Sequence, residues 1–95
     1  MTTTVELDSI LRICPDLVVE TFDDALLVWD DDTAKLHHFD VHAAVVWEEL
    51  DGHSTIAEVA TKLAREFGAS PADVSADVLA VARLWAAEGL VAAAT

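Results

Sequence analysis

Hydrophobic residues change their spacing once along this chain, at Asp40, and the change separates a strand-forming half from a helix-forming half. Before it, Leu17 to Thr21 (LVVET) is rich in β-branched residues, and Ala25 to Asp30 (ALLVWD) is a continuous apolar run of strand length. Lys35 to Phe39 (KLHHF) follows a cluster of acids. Phe22-Asp23-Asp24 and Asp30-Asp31-Asp32-Thr33, which separate the runs, have the composition of turns. Three strands joined this closely predict an antiparallel meander. The stretch VELDSILRI before Pro15 is compatible with a short strand or a turn of helix.

After Asp40 the apolar positions follow a helical period. Asp40 is a good N-cap, and Ala43, Ala44, Val46, Trp47 and Leu50 come behind it at helical spacing. Asp51-Gly52 is expected to end this helix, with glycine in the left-handed position after the last turn. Thr55-Ile56-Ala57-Glu58 matches a capping box, and Ile56, Val59, Ala60, Leu63 and Phe67 mark the side of a second helix expected to be buried, closed by Gly68. Ser70-Pro71-Ala72-Asp73 starts a third, with serine as the expected cap. Along it Val74, Val78, Val81 and Trp85 line one face, Gly89 is the stop, and Leu90 and Val91 are expected to tuck against the core. Trp29, Trp47 and Trp85 read as core anchors rather than a ligand cage. The fold class is α+β: a winged-helix-like arrangement of a three-stranded antiparallel sheet followed by three helices. The domain is expected over residues 15–91, with an N-terminal segment 1–14 and a tail 92–95.

Composition narrows the function more than the fold. At 95 residues and 54% hydrophobic content the chain is one domain able to form a core. No apolar run approaches the ~20 residues of a membrane helix, and Met1 leads into threonines and an acid rather than a secretory signal, so the expected location is cytoplasmic, with no membrane partner. A single cysteine, Cys14, leaves neither an internal disulfide nor a thiolate metal site. Eighteen acids against five basic residues give a net charge of −13, and Arg12, Lys35, Lys62, Arg65 and Arg83 are scattered. Phosphate binding draws on clustered Lys and Arg, so nucleic acid is not an expected partner.

Chemistry-bearing patterns are few. His37, His38, Asp40 and His42 lie close in sequence, but they straddle a strand-to-helix junction where neighbouring strand residues face opposite ways, so no metal is expected. Asp30 to Thr33 lacks the glycine and distal glutamate of a calcium loop. No nucleophile, base and acid stand at motif spacing and no glycine-rich phosphate loop occurs, so neither catalysis nor a cofactor is expected.

The order of strands and helices, with Phe39-Asp40, Ala43-Ala44, Val46-Trp47, Leu50-Asp51-Gly52, Thr55-Ile56-Ala57-Glu58, Leu63, Phe67, Asp77-Val78 and Gly89-Leu90-Val91 in sequence, resembles the PqqD-like family from about Pro15 to Val91. The chain departs from the family pattern at His42, where a small hydroxyl residue is common, at Trp85, where leucine is usual, and in the two histidines of KLHHF. The resemblance implies a recognition element for a ribosomally made peptide that is later modified. Members bind the leader of a precursor peptide and present its core to a separate enzyme, such as a radical enzyme, a leader peptidase or a cyclase. Stand-alone members of this length also resemble the leader-binding subunit of split lasso-peptide systems.

In that family the leader docks as an added strand beside the third strand, in its groove with the third helix. Carried over here, the peptide-binding residues are Lys35, Leu36, His37 and His38 from the strand, and Val74, Asp77, Val78, Val81 and Arg83 from the helix. Strand alternation lets only one of the pairs Leu36/His38 and His37/Phe39 face the helices, and Phe39 is the expected core residue. The alternative reading is a structural or dimerising module without leader binding, and the expected state is a monomer or weak homodimer.

Overall fold

The computed structural model of the chain describes residues 4–94. Strands β1 (Leu11–Ile13), β2 (Leu17–Phe22), β3 (Ala25–Asp30) and β4 (Lys35–Phe39) precede helices α1 (Val41–Glu49), α2 (Ile56–Phe67) and α3 (Pro71–Ala87), and β5 (Val91–Ala93) ends the chain. The meander forms an antiparallel sheet in the order β2-β3-β4, which leaves β4 at an edge.

Local chemistry accounts for the turns. Phe22 pairs with Ala25, so only Asp23 and Asp24 lie between β2 and β3, and their φ values of 48° and 67° are those of a tight hairpin whose twist matches the strands. Asp tolerates this left-handed region better than most residues. At the next turn the buried Asp30 carboxylate accepts the Asp32 amide at 3.0 Å.

Strand alternation puts Leu26, Val28 and Phe39 into the core beneath the helices. There Phe39, Trp47 and Trp85 pack against one another, with ring centroids 5.0 to 5.3 Å apart and the two indoles edge to face at 87°. Ile56, Val59, Ala60 and Leu63 of α2 and Val78 and Ala82 of α3 complete the core.

The N-terminal segment is part of this body. Strand β1 pairs antiparallel with β5, and Val5 and Leu11 are buried in the core although they precede residue 15. Ala92 and Ala93, assigned to the tail from sequence, belong to β5. The same segment caps α2: Ser9 and Leu7 carbonyls accept the Ile56 and Ala57 amides at 2.9 and 2.8 Å. Thr55 Oγ1 accepts the Glu58 amide at 3.1 Å, and the Glu58 carboxylate accepts the Thr55 amide at 2.8 Å, closing the expected capping box. The first-turn amides of α2 are thus all satisfied. Thr55→Ala removes one of these bonds and is expected to lower stability by about 1 kcal/mol in a urea titration.

Four expectations from sequence are corrected. Trp29 is not a core anchor: it lies on the outer side of the sheet, 36% exposed, with its indole N–H donated to Asp31 at 3.1 Å. Phe67, at the last turn of α2, is 65% exposed, because the helix runs past the core before Gly68 turns the chain. Helix α1 ends at Glu49 with Leu50 extended and buried; Gly52 is left-handed two residues later, in a turn where the Asp51 carboxylate accepts the His53 and Ser54 amides at 2.8 Å. Those donors hold the Asp51 carboxyl below its ordinary value. Ser70 caps α3 by position only, with no side-chain hydrogen bond, and Pro71 in the first turn sets the helix start instead.

Candidate functional site

The edge of β4 is open along its length, and α3 runs beside it. Between them lies a groove of ≈ 430 Å³. Its strand wall is Leu36, His37, His38 and Phe39; its helix wall is Val81, Leu84, Trp85 and Glu88, at i, i+3, i+4 and i+7 and therefore on one helical face. Asp40 and Ala43 close the end at which α1 begins.

The strand divides its side chains as a pleated backbone must. His37 and Phe39 point to the helices, and Leu36 and His38 to the outer face; Leu36 is 62% exposed. Across the groove Leu84, a large apolar side chain on α3, is 56% exposed. His37 is half-buried, and its Nε2 is shielded from solvent without a hydrogen-bond partner among the described residues. Lys35 marks the other end, its ammonium 3.8 Å from the Glu88 carboxylate. Both groups are exposed there, so the pair holds the groove mouth only weakly.

This groove unites part of the residue set chosen from sequence. Leu36, His37, His38 and Val81 line it, with Lys35 at its end. Val74, Asp77 and Val78 lie earlier on α3 and border a different depression of ≈ 280 Å³, shared with His42, Val45, Val46, Leu63 and Phe67. Val78 is also a core residue. Arg83 is elsewhere: its Nε donates to the Val5 carbonyl at 2.9 Å and its terminal nitrogen lies 3.3 Å from the Glu6 carboxylate. Two residues along a helix is a rotation of about 200°, which carries Arg83 to the side away from Val81. The same arithmetic could have found Leu84 and Glu88, one turn and two turns on from Val81, which sequence reasoning missed.

Among the described residues no group of three or more His, Cys, Asp or Glu side chains converges as a metal set, and no helix is long and apolar enough to cross a membrane. The arrangement offers an unpaired backbone ladder beside apolar anchors, which suits an extended peptide.

Comparison with known proteins agrees with this architecture. Residues 26–91 match the family described as Coenzyme PQQ synthesis protein D (PqqD). The chain belongs to the PqqD family. Solved structures support the placement of this PqqD-family chain. A lasso peptide synthetase B1 complexed with its leader peptide is 25% identical, covering 88% of this chain and 99% of that one, with a TM-score of 0.76. TbiB1, solved in complex with the TbiA(beta) leader peptide, shares the fold at 19% identity and TM-score 0.76, covering 84% of this chain and 93% of that one. So does the PqqD truncation of Methylobacterium extorquens PqqCD, described as a functional, stand-alone RiPP recognition element, at 18% identity and TM-score 0.78, covering 93% of this chain and 94% of that one. No curated protein sequence matches the PqqD-family chain closely enough to count as a relative.

Proposed function

We propose that this chain captures the leader of a ribosomally synthesised precursor peptide as an added strand on the edge of β4 and delivers it, without catalysis of its own, to a modifying enzyme such as a radical enzyme, a leader peptidase or a cyclase. The observation that carries the reading is the open β4 edge facing the Val81, Leu84, Trp85 and Glu88 side of α3 across one groove. That two structures sharing the fold hold leader peptides supports it.

Backbone pairing cannot supply the affinity alone. Each ladder hydrogen bond contributes about 0.5–1.5 kcal/mol net, and ordering each residue of a flexible leader costs about 1–2 kcal/mol. Side chains must add the surplus. Leu84 stands exposed on the helix wall and Leu36 on the outer side of the β4 edge, and burying one leucine is favourable by about 1.5–3 kcal/mol. His37, His38 and Lys35 then select among leaders: the unpartnered His37 Nε2 by a hydrogen bond, and the other two by polar contacts at the rim. Val74, Asp77, Val78 and Arg83 are not assigned to this groove.

Fluorescence anisotropy of the leader from the neighbouring precursor gene tests the proposal. Saturable binding, lost when the leader is scrambled, is the expected result. A folded sample that shows no binding at about 100 μM protein, a Kd weaker than about −5.5 kcal/mol in free energy, would overturn it.

A further inference from the structure

The groove occupies one edge of the sheet and, apart from Leu36 and His38 on that edge strand, leaves the outer face free. Cross-strand register lines up Val18, Trp29 and Leu36 in a single row over all three strands, at 55%, 36% and 62% exposure. Beside it run Glu20, Leu27 and His38, and beyond them Phe22, 65% exposed. Neighbouring Cβ atoms in such rows are about 5 Å apart, so the first row is continuous. Trp29 is also held in place, since its indole N–H is donated to Asp31. A tethered aromatic ring in an apolar row is the side-chain type that dominates protein interfaces.

We infer that this outer face, centred on Val18 and Trp29, is the docking surface for a folded protein partner whose apolar patch is rimmed by Lys and Arg.

Size and charge decide the occupant. Three strands of this length present a face about 15 Å by about 20 Å, or about 300 Å². A stable interface takes about 800 Å² from each partner, so the partner must also cover the turns at both ends of the sheet. This part of the chain is acidic: residues 16–34 contain Asp23, Asp24, Asp31 and Asp32 in the turns, Asp16, Glu20 and Asp30 beside or within the strands, and no Lys or Arg. All of these but Asp30 are exposed. A second copy would set this acidic rim against itself, on chains each carrying −13. An anionic lipid surface or a nucleic acid would be repelled in the same way. A basic rim around an apolar patch is complementary, and it would speed encounter at low salt.

Identifying this partner as the modifying enzyme rests on the leader-capture reading; the existence of the surface does not. Surface plasmon resonance with the purified processing enzyme encoded beside this chain's gene tests the surface. Three forms are compared: the unmodified chain, Val18→Ser with Trp29→Ser, and Asp23→Asn with Asp24→Asn and Asp32→Asn. Asn is chosen because it also tolerates the positive φ of the hairpin. Circular dichroism melts establish that each variant is folded, and leader anisotropy is run in parallel. The Val18/Trp29 variant is expected to bind the enzyme at least about tenfold more weakly while its leader affinity stays within about twofold. The neutralised variant is expected to associate several-fold more slowly at low salt and at the same rate in about 0.5 M salt. A folded Val18/Trp29 variant that binds the enzyme as tightly as the unmodified chain overturns the proposal. So does a dimer of the unmodified chain in sedimentation that this variant dissolves, because the face would then belong to a second copy. If the leader fails to bind any form while the enzyme still discriminates among them, leader capture falls and the surface stands.

Discussion

Replacing Trp85 with alanine is expected to lower the melting temperature by about 15–30 °C. Trp85 is 2% exposed and touches both other rings of the aromatic cluster, with centroids 5.0 Å from Phe39 and 5.2 Å from Trp47. Removing a buried tryptophan costs about 3–5 kcal/mol, because the lost transfer free energy is joined by a cavity that rigid neighbours cannot fill. A domain of this size has about 5–14 kcal/mol in total, and each kcal/mol is worth about 4–8 °C. Trp29→Ala is the internal comparison. On the sheet's outer face it should cost about 1 kcal/mol or less, since the ring leaves no closed cavity. Thermal melts followed by circular dichroism separate the two, and equal shifts would mean that the Phe39, Trp47 and Trp85 cluster contributes no more to stability than the sheet's outer face. The ring of Trp85 also forms part of the groove floor, so leader binding by any surviving folded fraction should weaken as well.

Leu84→Glu should have the opposite profile, with stability almost unchanged and leader capture lost. The side chain is 56% exposed on the solvent side of α3, and glutamate is nearly as good a helix former as leucine. The introduced carboxylate would face Glu88 four residues on, which costs only about 0.2–0.5 kcal/mol. In the complex, by contrast, a leader side chain would be pressed against a carboxylate in place of a leucine. Forfeiting about 1.5–3 kcal/mol of apolar burial weakens binding by about 10- to 150-fold. Leu84→Met, of similar volume and polarity, should stay within a few-fold of the unmodified chain. Phe67→Glu is the matching control in the other depression, between the helices. Leader affinity that survives Leu84→Glu and collapses in Phe67→Glu would move the peptide from the β4 groove to that depression.

These two leucine and tryptophan positions mark where sequence reasoning worked and where it stopped. The capping box, the meander turns and the glycine stops at Gly68 and Gly89 are local: each depends on residues within a few positions, so pattern and propensity suffice to place them. The strand wall of the groove was legible for a related reason, since alternation together with an inward Phe39 settles which way Leu36, His37 and His38 face. Of the helix wall, sequence reasoning chose Val81 and passed over Leu84 and Glu88, although the periodicity was in plain view. Val74, Val78, Val81 and Trp85 share a stripe, yet only tertiary packing decides how much of the stripe other helices cover and which part remains beside β4.

The sequence by itself determined the order of the three-strand meander and the three helices, the Asp40 and Thr55 caps and the family, because these follow from short-range backbone chemistry and from the order of signposts along the chain. Only the tertiary structure decided that Trp29 faces outward, that Phe67 escapes the core, that Arg83 holds the N-terminal segment and that Leu84 borders the groove. Those outcomes depend on which surfaces meet across long sequence separations. An isolated apolar residue carries the same local signal whether another element covers it or it is left open for a partner.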